Sequence, residues 1–129
     1  MADNIQIINS SQSYNPAVLP VIKSDNSGYC TGGIVTDILV VTARHCIDPT
    51  QSGCGVVVDG KRPVKCFVDD RWQKNVWTAA NAAFDVAVLV LALDDRYQLG
   101  QSNLAYGTTG IASDLFGIEV ELVGFGQHT

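Results

Sequence analysis

The sequence predicts an all-β barrel or sandwich, and three observations carry that reading. Short segments rich in Val, Ile and Leu recur along the chain, each bounded by turn-forming residues. No stretch sustains the apolar period of a long amphipathic helix. Asp59-Gly60, between "VVV" and "RPVKC", is the dipeptide that tight hairpins favour.

Strands are expected over residues 17–23, 29–36, 37–42, 55–59, 63–68, 85–93 and 117–124, several of them apolar on both faces. The Asp59-Gly60 turn makes a test of register. A strict two-residue turn places Cys54 opposite Lys65. A longer loop or a bulge places Cys54 opposite Cys66 and Val56 opposite Val64. If these two cysteines are bonded across the hairpin, that irregularity is expected; the alternative is two buried free thiols. Residues 69–81, with Trp72 and Trp77, read as an exposed loop leading to a strand, and residues 79–83 as a helical turn at most. Residues 99–113 form a connector rich in Gly, Ser, Thr and Asn.

The bulk numbers exclude several classes. A chain of 129 residues suits one domain or one half of a two-part enzyme, and 47% apolar content is enough for a core. With a net charge of −5 and eight scattered Lys and Arg, no nucleic-acid partner is expected. No apolar run reaches the roughly 18 residues of a membrane span, so no membrane association is expected. The opening MADNIQ lacks the basic and apolar regions of a signal peptide. That implies retention in the cell or a sequence that begins after processing. The four cysteines, Cys30, Cys46, Cys54 and Cys66, weigh more. An even count in a small, loop-rich chain suggests two disulfides and an oxidising, secreted setting. They lack the close pairs of a zinc site and the second histidine, His128, is remote, so no metal is expected, and no cofactor.

His45, in "VVTARHCID", follows an apolar run and precedes a cysteine. It is either a base or a structural neighbour of a disulfide. Asp85, in "AAFDVAVLVLA", stands at the mouth of an apolar strand, where a carboxylate loses solvation unless paired. It could orient an imidazole by accepting the Nδ1–H, or bind backbone N–H groups at a strand start.

Residues 30–46, "CTGGIVTDILVVTARHC", resemble the region around the catalytic histidine of trypsin- and chymotrypsin-like serine proteases, whose pattern is Cys, Gly-Gly, an apolar strand, then Thr-Ala-x-His-Cys. "FDVAVLVL" is similar to the strand that carries the family's triad aspartate. "IINS" with "LPVIK" resembles the mature N-terminus and first strand, and "VELVGFGQHT" the family's Gly-Trp-Gly segment, with Phe125 in the tryptophan's place. The resemblance implies a six-stranded antiparallel Greek-key barrel over residues 17–98, bearing His45 and Asp85 as catalytic residues. It implies a disulfide between Cys30 and Cys46, an N-terminal segment over 1–16, and over 99–129 a crossover connector with the first strand of a second barrel. Departures are Arg44 where a small residue is usual, Asn9 and Ser10 in place of glycines, and Gln6 before Ile7, which removes a trypsin-like activating cut.

The family's nucleophile motif, Gly-Asp-Ser-Gly-Gly, is absent from the sequence. The serines at 10, 11, 13, 24, 27, 52, 102 and 113 lack glycines on both sides. "SGCGV" around Cys54 is similar to the Gly-x-Cys-Gly of viral cysteine proteases, but it follows His45 within the first barrel. The chain is therefore expected to be the N-terminal half of a trypsin-like serine endopeptidase, partnered by a C-terminal half that carries the serine and acting on peptide or protein substrates. A stop at Thr129 would suit the product of a cut in the loop after that segment. The alternatives are a non-catalytic barrel acting as a binding module or as a homodimer that closes its open surface by two-fold pairing, and an unrelated disulfide-bonded β domain.

Overall fold

The computed structural model describes residues 16–95 together with Gly117, Val123 and Gly124. The expected strand over 117–124, the connector over 99–113, the "IINS" segment, Phe125 and His128 lie outside the described residues or rest mainly on residues that do.

Six strands form one antiparallel sheet: β1 (Val18–Lys23), β2 (Tyr29–Ile34), β3 (Leu39–Thr42), β4 (Val56–Val58), β5 (Lys65–Val68) and β6 (Ala87–Val90). Their order across the sheet is β4-β1-β2-β3-β6-β5. Three single-turn 3-10 segments, Arg44–Cys46, Ser52–Gly55 and Leu93–Asp95, and one short helix, α1 (Ala79–Ala82), complete the described chain. Each of the six strands lies within a segment expected from local composition, and the helical turn is where the sequence placed it.

Alternation selects the buried face. Ile34, Val40, Leu89 and Cys66 stand opposite one another across β2, β3, β6 and β5. Val21 stands opposite Val58 across β1 and β4. Val21, Val40, Val56, Val58 and Leu89 have no exposed surface, and Ile34, Ala87 and Leu91 next to none. Each of the buried Val, Ile and Leu side chains contributes about 1.5–3 kcal/mol of burial. Gly32 belongs to the same layer: a Cβ there would meet methyl groups of Val21 and Val40 at 2.8 Å. The two valines pack over the bare backbone, so the first glycine of the pair in "CTGGI" is a packing requirement.

Strands β2, β3 and β6 are shorter than expected. The Thr36 hydroxyl accepts the N–H groups of Ile38 and Leu39, closing a turn that shortens β2 and β3. Asp85 and Val86 precede β6, since the Asp85 backbone N–H donates to the Ala82 carbonyl at 3.1 Å in the turn that ends α1.

The hairpin expectation requires correction. Asp59 and Gly60 form a strict two-residue turn, with φ of 50° and 78°, and Val58 and Lys61 exchange both backbone hydrogen bonds at 2.8 and 2.9 Å. No bulge or longer loop brings Cys54 opposite Cys66 or Val56 opposite Val64. Pairing stops after this bridge. In the continued register Pro63 would stand opposite Val56, at a position that must donate a ladder hydrogen bond, and proline has no N–H. Val64 instead donates to the Val90 carbonyl at 2.8 Å, and β5 joins β6. The bond between Cys54 and Cys66 forms all the same, with Cα atoms 6.4 Å apart. It ties the turn before β4 to β5, joining the two outer strands of the sheet, which curls into a half-barrel.

Candidate active site

His45 owes its position to the end of β3. The Thr42 hydroxyl donates to the Thr31 carbonyl at 2.9 Å, Ala43 is extended, and the 3-10 turn Arg44–Cys46 then reverses the side-chain directions. Cys46 turns into the core, where it is bonded to Cys30 of β2 with Cα atoms 6.3 Å apart. His45 turns outward, with 60% of its side chain exposed.

Asp85 arrives from the other side. Thr42 pairs with Ala87 at the end of the β3–β6 ladder. Carried two residues further, that register brings Asp85 across from Arg44. The Asp85 Oδ2 accepts from His45 Nδ1 at 2.7 Å, and Oδ1 accepts from the His45 backbone N–H at 2.8 Å. One carboxylate thus binds the ring and the main chain of one residue, which fixes the imidazole's rotation. Burial pushes the Asp85 carboxyl up, but hydrogen bonds from the His45 ring and backbone, with the Arg44 backbone, outweigh it and hold the group below its ordinary value of 3.8. An ionised carboxylate on Nδ1 puts the proton of a neutral ring there and leaves Nε2 as the acceptor. Among the described residues nothing hydrogen-bonds Nε2, although Ser24 and Ser27 line a groove beside it.

Both disulfides bear on the candidate roles. Cys30, His45 and Cys46 hold ligand-type atoms within 4.8 Å of one another, but the sulfurs are bonded to each other and Nδ1 serves Asp85. Cys54 is bonded to Cys66, so it has no thiolate to act as a nucleophile. Its flanking glycines serve geometry: Gly53, Cys54 and Gly55 all have positive φ, from 56° to 72°.

The loop between β5 and α1 packs beside the pair. The Arg44 guanidinium lies 4.6 Å from the Trp72 ring centre, and that of Arg71 4.2 Å from the Phe84 ring, one residue before Asp85. Arg71 also grips Asp69 through two side-chain bonds, at 2.7 and 2.9 Å, and with its backbone N–H holds that carboxyl down to about 2. Asn81 is the residue that sequence reading passed over. It is buried on α1, its Oδ1 accepts from the Gln73 N–H at 2.7 Å, and its Nδ2 donates to the Gln73 and Val76 carbonyls at 2.7 and 2.8 Å. Thr78 caps the helix by accepting from the Asn81 N–H. The one signal available was a single amide among alanines in "TAANAA".

Two grooves meet at His45. A polar one of about 610 Å³ runs past Lys23, Arg44, Asp48 and Lys74. A more apolar one of about 510 Å³ runs past Trp72, Val76, Trp77 and Asp85. Trp77 is 93% exposed on its rim. The arrangement can accept a proton at Nε2 and release it again, beside two grooves open to a ligand.

No protein-family model matches the chain, and no curated protein sequence matches it.

Proposed function

We propose that this chain supplies the general base and its orienting carboxylate to a trypsin-like serine endopeptidase, with the nucleophilic serine carried by a polypeptide segment outside this sequence. The described sheet is then the first, Greek-key barrel of that fold. The observation that carries the reading is the double grip of Asp85 on His45, on residues that match the Thr-Ala-x-His-Cys pattern and beside a disulfide that joins Cys30 to Cys46. In the proposed reaction His45 Nε2 takes the proton of the serine hydroxyl as its oxygen attacks the peptide carbonyl. The same proton then passes to the leaving amine, and the acyl-enzyme is hydrolysed by water activated in the same way. Asp85 keeps its charge throughout and stabilises the imidazolium. Two disulfides fit an oxidising compartment, and secretion is part of the proposal. Among the described residues no helix is long and apolar enough to cross a membrane.

A second reading, a non-catalytic module with an idle His–Asp pair, is favoured by the lack of any described nucleophile bonded to Nε2. One experiment separates the two. The protein is isolated from its source without reduction and treated with a biotinylated fluorophosphonate. The proposal expects a labelled, glycine-flanked serine on polypeptide that co-purifies with this chain and resists dissociation. Isolation of the chain, alone or as a symmetric dimer, with no labelled serine would overturn it.

A further inference from the structure

We infer that the polar groove beside His45 receives an acidic side chain of the polypeptide that lies across the site. The inference rests on the protease reading for the ligand being a polypeptide; its charge is argued from the groove itself.

Three of the chain's eight Lys and Arg line this one groove: Lys23 from the end of β1, Arg44 from the histidine turn and Lys74 from the loop after β5. The chain as a whole carries −5, so this concentration of cations opposes the general field. The groove also holds two carboxylates, and both are engaged by their own turns. Asp25 accepts from the Ser27 N–H at 2.9 Å. Asp48 accepts from the Thr50 N–H and hydroxyl at 3.0 and 2.6 Å, and from Gln51 Nε2 at 3.1 Å. The Ser27 and Thr50 side-chain bonds, with smaller contributions from the Lys23 charge on Asp25 and the Arg44 charge on Asp48, hold both carboxyls below their ordinary value, so the groove lining holds three cations against two ionised carboxylates.

The cations are differently placed. Among the described residues, neither Lys23 nor Lys74 stands within ion-pairing distance of a carboxylate, whereas Lys61 pairs with Asp59 and Arg71 with Asp69. The Arg44 guanidinium sits 4.6 Å from the Trp72 ring centre, and its one described side-chain hydrogen bond goes from Nη1 to the Ile47 carbonyl at 3.2 Å. These two contacts restrain the guanidinium, which lowers the entropy lost when it binds an anion. Two flexible ammonium groups and one restrained guanidinium in the groove that His45 also lines suit a carboxylate on a neighbouring residue of a bound chain. They also attract it over distance against an acidic background.

The test is amide chemical-shift mapping on the isotope-labelled full chain. The probes are two capped peptides that differ only in Glu against Gln, and inorganic phosphate. The Glu peptide should give saturable shifts at residues 23–27 and 44–46 and bind at least about five-fold more tightly than its Gln counterpart. Lys23→Gln and Lys74→Gln should each weaken it about two- to five-fold, and Lys74→Glu should abolish the preference. Lys74 is exposed, so its variants decide the matter if Lys23→Gln disturbs the fold. Equal affinity for the two peptides, no saturable shift, or unchanged affinity in the Lys74 variants would overturn the inference. Phosphate binding as tightly as the Glu peptide would reduce the groove to a simple anion site and overturn it as well. The readout needs no turnover. An acidic preference without a labelled serine would leave the groove standing and remove the protease, and the converse result would do the reverse.

Discussion

Asp85 binds His45 twice, through its ring Nδ1 at 2.7 Å and its backbone N–H at 2.8 Å. The two contacts have separable consequences. The backbone bond positions the turn; the ring bond sets which nitrogen carries the proton.

Asp85→Asn should therefore change the tautomer while keeping the turn. The amide oxygen can still accept from the backbone, but its NH₂ then faces Nδ1 and stabilises the wrong tautomer. Imidazole nitrogen shifts of the full chain should show the Nδ1–H form in the parent and its loss in the variant. In the complete enzyme turnover should fall by about four orders of magnitude. An unchanged His45 spectrum in Asp85→Asn would reject the assignment of Asp85 as the orienting group.

Acid should remove the same contribution in a defined direction. The folded Asp85 carboxyl titrates below its unfolded value of 3.8, so between the two values the unfolded state binds more protons and stability falls as pH falls. The stability difference between parent and Asp85→Asn should be constant at neutral pH and shrink on descent through and below pH 3.8. Chemical denaturation at several pH values checks this. A difference that grows on acidification would show that the carboxyl is not held ionised by the fold.

The two disulfides should act differently. They close loops of 16 and 12 residues, and losing either should cost about 2–4 kcal/mol. Cys46→Ser should also disturb the His45 ring signals, because Cys46 pins the turn that aims the ring. Cys66→Ser should loosen β4 and β5, seen as faster amide exchange there, and leave the His45 signals in place. Identical effects of the two variants on His45 would contradict this division.

Asn81→Ala should release the loop after β5. It removes three side-chain hydrogen bonds and leaves the Gln73 N–H and two carbonyls without their partners, which costs about 2–4 kcal/mol in all. Amide exchange at Gln73 should accelerate well before global unfolding. If Gln73 stays as protected as in the parent, the loop is held chiefly by the Arg44–Trp72 and Arg71–Phe84 stacks.

What the sequence determined by itself was local. Strand positions follow from runs of β-branched residues and their bounding turns, and Asp59-Gly60 was readable because both residues tolerate positive φ. The chemistry of His45 and Asp85 was visible as two residue types in telling surroundings. Tertiary structure alone decided how these pieces meet. The β3–β6 register sets Asp85 against His45 across 40 residues of chain, and no local propensity encodes which strands pair. Pro63 illustrates the same point: a strong hairpin signal was overridden after one bridge because the next donor was missing and β6 offered a partner. Three of the eight basic residues, distant in the chain, gather into one groove only when β1, the histidine turn and the loop after β5 are folded together. Propensity and turn chemistry act over a few residues, whereas pairing, burial and charge clustering are properties of the closed surface.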